Sequence, residues 1–311
     1  MHLCVPRPAR RPPRLVSALS LLLLFGACAA PVSLPPGDRS AATTPAPSGS
    51  DLSIAASLVG TWTVRDVAPA YDGAVLQFDG VYGTLWRECG TADHAIIVGP
   101  TGAVRVQLQG GAGECDLEEG VPWLTAAARL IADEDTMVVQ DASGTRLATL
   151  LPGGTPPERD DIDPSLATDP VLTDDLEANL RGVIIDLPTG LKPATMEQAT
   201  AGRWYPDRHA PSAPEGSWLE LAADGTWSGS DGCNGQGSVW LLEPSGWFRS
   251  GAWAQTAVGC PGVDIGSTLS DAEALAVDGD GALVALDAKG VPTARYVRDV
   301  ADSVADPSLE P

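Results

Sequence analysis

The feature that most constrains this chain is that one pattern occurs in it twice. Gly60-x-Trp62 recurs as Gly202-x-Trp204. At an offset of 144, Cys89 falls on Cys233, Pro100-Thr101-Gly102 on Pro244-Ser245-Gly246, and Arg105 on Arg249. One residue later in offset, Cys115 falls on Cys260, and Leu124, Ala127, Leu130, Asp133 and Asp135 fall on Leu269, Ala272, Leu275, Asp278 and Asp280. A last single gap brings Asp141-Ala142-x-Gly144 onto Asp287-Ala288-x-Gly290. The order, the nearly fixed offset and the inclusion of both cysteine pairs argue for duplication. The chain therefore has to fold as two related units.

Within the first unit, which begins near Asp51 and stops at Pro152-Gly153-Gly154, the apolar segments are short and punctuated by Gly, Pro and Asp, which favours antiparallel strands. Val75-Leu76-Gln77-Phe78, Ala95 to Val98, Val104 to Leu108, Met137 to Val139 and Leu147 to Leu151 are the candidates. A short helix over Ser53 to Val59 precedes Gly60-x-Trp62, and in the second copy Thr195 and Gln198 supply a capping-box start. The fold class expected is mainly β (α+β): two tandem small antiparallel β domains with short helices, at 51–152 and 195–300.

The repeats also organise the cysteines. In an oxidising compartment, pairing within each repeat joins Cys89 to Cys115 and Cys233 to Cys260. The members of these pairs stand 26 and 27 residues apart. Loops of that size stabilise by about 3 to 4 kcal/mol through chain entropy, which matters for domains of about 100 residues. Zinc binding by the four is disfavoured because no Cys-x-x-Cys occurs.

Compartment is read from the start of the chain. Arg7, Arg10, Arg11 and Arg14 precede an apolar run, Leu15 to Phe25, too short to span a bilayer as a permanent anchor. Phe25-Gly26-Ala27-Cys28 then resembles the lipobox of bacterial lipoproteins, with Phe25 where that pattern has an aliphatic residue. This implies a signal peptide over 1–27, a lipid on Cys28, and attachment to the extracytoplasmic face of the cell membrane. Residues 28–50, mostly Ala, Pro, Ser, Thr and Gly, read as a flexible tether. The formal net charge of −22 becomes more negative once the arginine-bearing leader is removed. Such a surface repels phosphate backbones and anionic headgroups, so nucleic acid is not an expected partner.

The second repeat resembles a known family. Asp224-Gly225-Thr226-Trp227, Gly232-Cys233-Asn234-Gly235, Trp240 and the run Thr256-Ala257-Val258-Gly259-Cys260-Pro261 are similar to META/HslJ-like domains of bacterial envelope lipoproteins. The resemblance covers about Thr195 to Arg298 and implies a helix near Val263 to Leu269 followed by strands over Glu273 to Val277, Ala282 to Leu286 and Thr293 to Val297. The first repeat departs from it: Gly90 follows Cys89 where Asn is expected, and Gly111 replaces the threonine seen as Thr256. It is a degenerate META-like copy.

That resemblance implies a non-enzymatic envelope protein that binds a partner or supports the envelope under stress. Trp227, Asn234 and Thr256 are the candidate binding rim, weighed against the plainer reading of turn and core residues. Six of the nine tryptophans lie in the second repeat, where they either fill a small core or present a face for stacking. Gly-x-Trp after a short helix is also similar to the start of lipocalins, which keeps a carrier of small apolar ligands as the alternative, although each repeat is short for eight strands. The partner is thus an envelope protein or a small ligand, and no cofactor or metal is expected.

Catalytic patterns are missing from the sequence. It has no Gly-x-Ser-x-Gly elbow, no His-Glu-x-x-His helix and no phosphate loop, and beyond the leader it keeps only His94 and His209. Asp278-Gly279-Asp280-Gly281 begins like a calcium loop, but Lys289 stands where the bidentate glutamate belongs, so it reads as a hairpin turn. The segment 153–194 reads as an acidic linker with a helix over Asp174 to Arg181, capped by Thr173, and with Val183-Ile184-Ile185 pairing onto the second domain. Residues 301–311 read as a loose tail.

Overall fold

A computed structural model describes residues 53–115, 120–207, 216–256 and 265–298. The first repeat runs α1 (Ile54–Leu58), β1 (Gly60–Arg65), β2 (Val75–Phe78), β3 (Tyr82–Arg87), β4 (Gly90–Val98), β5 (Val104–Gly113), α2 (Pro122–Thr125), β6 (Arg129–Asp133), β7 (Thr136–Gln140) and β8 (Arg146–Pro152). Its eight strands form one antiparallel sheet in the order β5-β4-β3-β2-β1-β8-β7-β6. The sheet curls until its two edges touch: Ala103 bridges Arg129, Val104 N–H donates to the Ala128 carbonyl at 3.0 Å, and Leu130 N–H donates to that of Gly102 at 2.7 Å. Closure of this kind shields the edges that an open sheet would leave for other chains.

Between the repeats the chain forms a short 3-10 helix (Pro164–Ala167), α3 (Asp174–Leu180) and β9 (Lys192–Pro193). The second repeat then runs α4 (Met196–Ala199), β10 (Arg203–Pro206), β11 (Ser217–Leu221), β12 (Thr226–Asp231), β13 (Gly235–Leu242), β14 (Phe248–Ser250), β15 (Ala254–Gln255), α5 (Ile265–Ser270), β16 (Ala274–Val277), β17 (Leu283–Leu286) and β18 (Pro292–Arg298). Its order is β14-β13-β12-β11-β10-β18-β17-β16-β9, with β15 also on β13. Thus β14 and β15 together replace β5, and β9 is an addition. A Trp247 to Ala274 bridge closes this barrel where Ala103 to Arg129 closes the first.

Matching positions pair alike in the two sheets. Trp62 faces Leu76 as Trp204 faces Leu219, Ile97 faces Arg105 as Leu241 faces Arg249, and Val139 faces Ala148 as Ala285 faces Ala294. The expectation that each repeat is short for eight strands is therefore corrected. Both reach eight because the strands are only two to ten residues long and most connections are tight turns.

The repeated Gly-x-Trp has a physical cause in each barrel. Gly60 and Gly202 take φ of +134° and +120°, a region that favours glycine, as the chain leaves a helix and enters a strand. Trp62 Nε1 then donates to the Leu58 carbonyl at 2.7 Å, and Trp204 Nε1 to that of Ala199 at 2.8 Å, satisfying acceptors that a helix C-terminus leaves open. Both rings are buried in the barrel cores.

Each barrel turns aliphatic side chains outward on one strand, and these meet. Ala95 and Ile97 of β4 pack with Val239, Leu241 and Trp247 of the second repeat in one buried cluster. Burying each large member contributes about 1.5 to 3 kcal/mol. Beside them Glu243, only 2% exposed, accepts from the Thr101 amide at 3.1 Å and the Thr101 hydroxyl at 2.9 Å. Glu243 falls on Gly99 in the repeat alignment, and a Cβ at Gly99 would lie 2.2 Å from Glu243 Oε1. The duplicated surfaces meet because one carries a carboxylate where the other carries no side chain.

The segment read as a linker is a fitted strap. Ile162 packs on Val75 and Trp86 outside the first barrel, Leu172, Leu176 and Leu180 reach its core, and Ile185, Leu187 and Leu191 cover the outer face of β16 and β17. Thr173 caps α3 as expected. Val183 and Ile184 are exposed and form no strand, so the expected pairing by Val183-Ile184-Ile185 is corrected: Lys192 and Pro193 pair with β16 instead.

Gly99→Ala is expected to destabilise by about 1 to 3 kcal/mol through overpacking against Glu243, whereas Gly110→Ala, with open space around its Cβ, should shift stability far less. Urea unfolding midpoints of the two variants check this.

Candidate functional site

The Gly-Cys-Asn turn joins β12 to β13. Asp231 Oδ1 accepts from the amides of Cys233 at 2.8 Å and Asn234 at 2.5 Å, and Oδ2 accepts from Asn234 Nδ2 at 3.0 Å. Thr256 Oγ1 donates to Asn234 Oδ1 at 3.2 Å, while Gln236 Oε1 accepts from the Gly266 amide, in the first turn of α5, at 2.8 Å. The Asn234 amide, with further N–H groups, holds the Asp231 carboxyl below the usual carboxylate range.

This network locates the candidate rim. Asn234 and Thr256 are joined, but Asn234 is buried, and Trp227 is a core residue whose Nε1 donates to Ser250 Oγ at 2.9 Å. Trp227 thus stands apart from the other two: its ring faces the barrel interior, while Asn234 links Asp231 to Thr256. Of the other tryptophans in this repeat, Trp204, Trp240 and Trp247 are buried, Trp253 is half-buried against the same core, and Trp218 is half-buried under the Arg203 guanidinium, 4.1 Å from the ring centre.

Of the cysteines, Cys89 and Cys115 form a disulfide that ties the β3–β4 turn to the end of β5. Cys233 is disulfide-bonded too, its partner lying outside the described residues. Cys28, Cys260 and His209 also lie outside them. The first repeat's loss of Asn after Cys89 has a steric reason: a Cβ at Gly90 would stand 2.0 Å from the Ala112 carbonyl oxygen. Close backbone approach replaces the polar network.

A second divergence concerns His94, which is fully buried opposite Gly83. The matching pair in the second barrel is Ser238 opposite Trp227. Large and small have changed strands, and the space over Gly83 is taken by Ile96 and Leu76, whose side chains a Cβ there would meet at 2.3 and 3.5 Å. Burial is the main influence on His94 and lowers its pKa below the ordinary 6.5.

The cleft that best meets the requirements of a binding site lies outside the first barrel, where the strap crosses the sheet. It has a volume of about 590 Å³. Tyr82, Thr84 and Trp86 alternate along β3 onto one face, Asp93 of β4 pairs with Thr84, and the strap supplies Ile162 and Leu166 as an opposing wall. Trp86 Nε1 donates to Gln77 Oε1 at 2.6 Å, and Gln77 Nε2 to the Thr168 carbonyl at 3.3 Å, fastening strap to floor. Tyr82, at 42%, and Leu166, at 64%, are exposed large apolar residues. The strand candidates read from the sequence omit β3; the alternation Tyr82-x-Thr84-x-Trp86 is the one signal that could have pointed to this face. A second cleft, of about 550 Å³, near Trp204 is occupied in part by ion pairs of Arg295 with Asp207 and Asp278.

No family model, curated protein or solved structure matches the chain. The site therefore stands on its own geometry.

The lowered pKa of His94 carries a pH dependence with a definite sign. As pH falls, the unfolded chain takes up the imidazole proton first, near 6.5, so the stability that neutral His94 lends is complete above that pH and is lost as pH falls toward its folded pKa. Urea midpoints should drop between pH 7.5 and 5.5, and His94→Gln should flatten that part of the curve.

Proposed function

We propose that this is an exported, lipid-anchored and non-enzymatic META/HslJ-like protein that binds a partner at the envelope through the outer surface of its barrels. One observation carries the choice of surface: side chains from all around each sheet, Phe78, Leu85 and Leu150 in one barrel and Trp204, Trp240 and Tyr296 in the other, take up the interiors. The built concavity sits outside, under the strap. This weighs against the lipocalin-like carrier, which needs an interior open to its ligand.

Attachment is read from Cys28, and the Ala, Pro, Ser, Thr and Gly composition of 28–50 suits a tether between lipid and barrels. With Cys89 and Cys115 paired, and with Cys260 as the partner expected of the bonded Cys233, Cys28 is the thiol this reading assigns to lipid.

Labelled palmitate should enter the wild-type chain in a bacterial host and not Cys28→Ser, which should leave the membrane fraction. Equal labelling of both, or none in the wild type, would overturn lipid attachment.

A further inference from the structure

We propose that the strap-walled cleft on the first barrel binds an organic cation, a protonated amine carried on an apolar body. This deepens the reading that the outer surface is the binding face and does not depend on lipid attachment.

The cleft leaves its carboxylates, and not its neutral polar groups, uncompensated. Its neutral polar floor is already satisfied, since Trp86, Gln77 and the Thr168 carbonyl bond to one another. Thr91 Oγ1 is likewise engaged, accepting from the Ala112 amide at 3.1 Å. A polyol would find few free partners there. The carboxylates are different. Asp93 is fixed through Oδ1 by the Thr84 hydroxyl at 2.8 Å, and Asp79 through Oδ1 by the amides of Val81 and Tyr82 at 2.9 and 2.7 Å. These bonds orient two negative groups, and among the described residues no Lys or Arg lines the cleft with them. Arg159 of the strap is already held by Asp161 and by the Glu88 carbonyl.

The aromatic rings flank one of these carboxylates. In the β3–β4 register Tyr82 faces Ala95, Thr84 faces Asp93 and Trp86 faces Thr91, so Asp93 is the diagonal neighbour of both aromatics. Diagonal neighbours on one sheet face lie about 7 to 8 Å apart, within reach of aromatic side chains. An ammonium beside Asp93 would meet the Tyr82 ring, which adds a cation–π attraction. Ile162 and Leu166 across the cleft offer apolar surface for the remainder of the ligand. The net charge of −22 favours the approach of a cation.

The test is calorimetric titration of the full chain in detergent with 2-phenylethylammonium, against neutral 2-phenylethanol. The ammonium is expected to bind at least about tenfold more tightly than the alcohol. Asp93→Asn, which keeps the bond to Thr84, should weaken it about tenfold, and Tyr82→Leu, on an exposed ring, about two- to fivefold. Asp280→Asn in the other repeat should leave it unchanged. Equal binding of alcohol and ammonium, no ammonium binding at millimolar concentration, or equal losses from Asp93→Asn and Asp280→Asn would overturn the proposal. Palmitate labelling is read separately, so failure here leaves lipid attachment standing.

Discussion

The packing of two outward aliphatic faces, on β4 and β13, is the interaction on which the rest of the structure depends. A barrel strand normally turns polar side chains to water, yet Ile97 and Leu241 turn outward and are 4% and 8% exposed because each barrel covers the other. The contact can form between duplicated surfaces because Gly99 leaves the space into which Glu243 reaches. It brings Arg105 of the first repeat against Gly225 of the second, where a Cβ would meet Arg105 Nε at 2.2 Å. The strap then runs from one barrel to the other, and with it comes the wall of the cleft.

Duplication has kept what the backbone demands and exchanged what fills space. Both copies retain the glycine that turns helix into strand, the indole that closes the helix end, and the same strand register. Elsewhere they solve one problem twice. Gly83 with His94 and Trp227 with Ser238 set large and small on opposite strands. At the cysteine turn, polar bonds among Asp231, Asn234 and Thr256 in one copy correspond to bare glycine contacts in the other. The first repeat is less a decayed copy than a differently packed one.

Much of this was legible in the sequence because it rests on backbone requirements. Gly-x-Trp, the Thr195 capping box, the Asp278 hairpin and the Cys89–Cys115 bridge are each dictated by a few adjacent residues or by matching positions in the repeats. The strand count was not, since β3 carries Gly83 as its second residue and β6 is exposed at four of its five positions. The strap was only partly legible: Leu172, Leu176 and Leu180 keep a helical spacing toward one core, but Ile162 before them and Ile185, Leu187 and Leu191 after them follow no such spacing, and the three sets meet three different surfaces. The cleft depends on contacts such as Gln77 to Thr168, 91 residues apart, which no local pattern records. The core position of Trp227 was not legible for a related reason: aromatic residues in a short alternating strand look alike from either side until the register is known.

If the two barrels are one cooperative body, differential scanning calorimetry of the full chain should show a single endotherm whose calorimetric and van't Hoff enthalpies agree. Two resolved transitions, each with the enthalpy of one repeat, would contradict it.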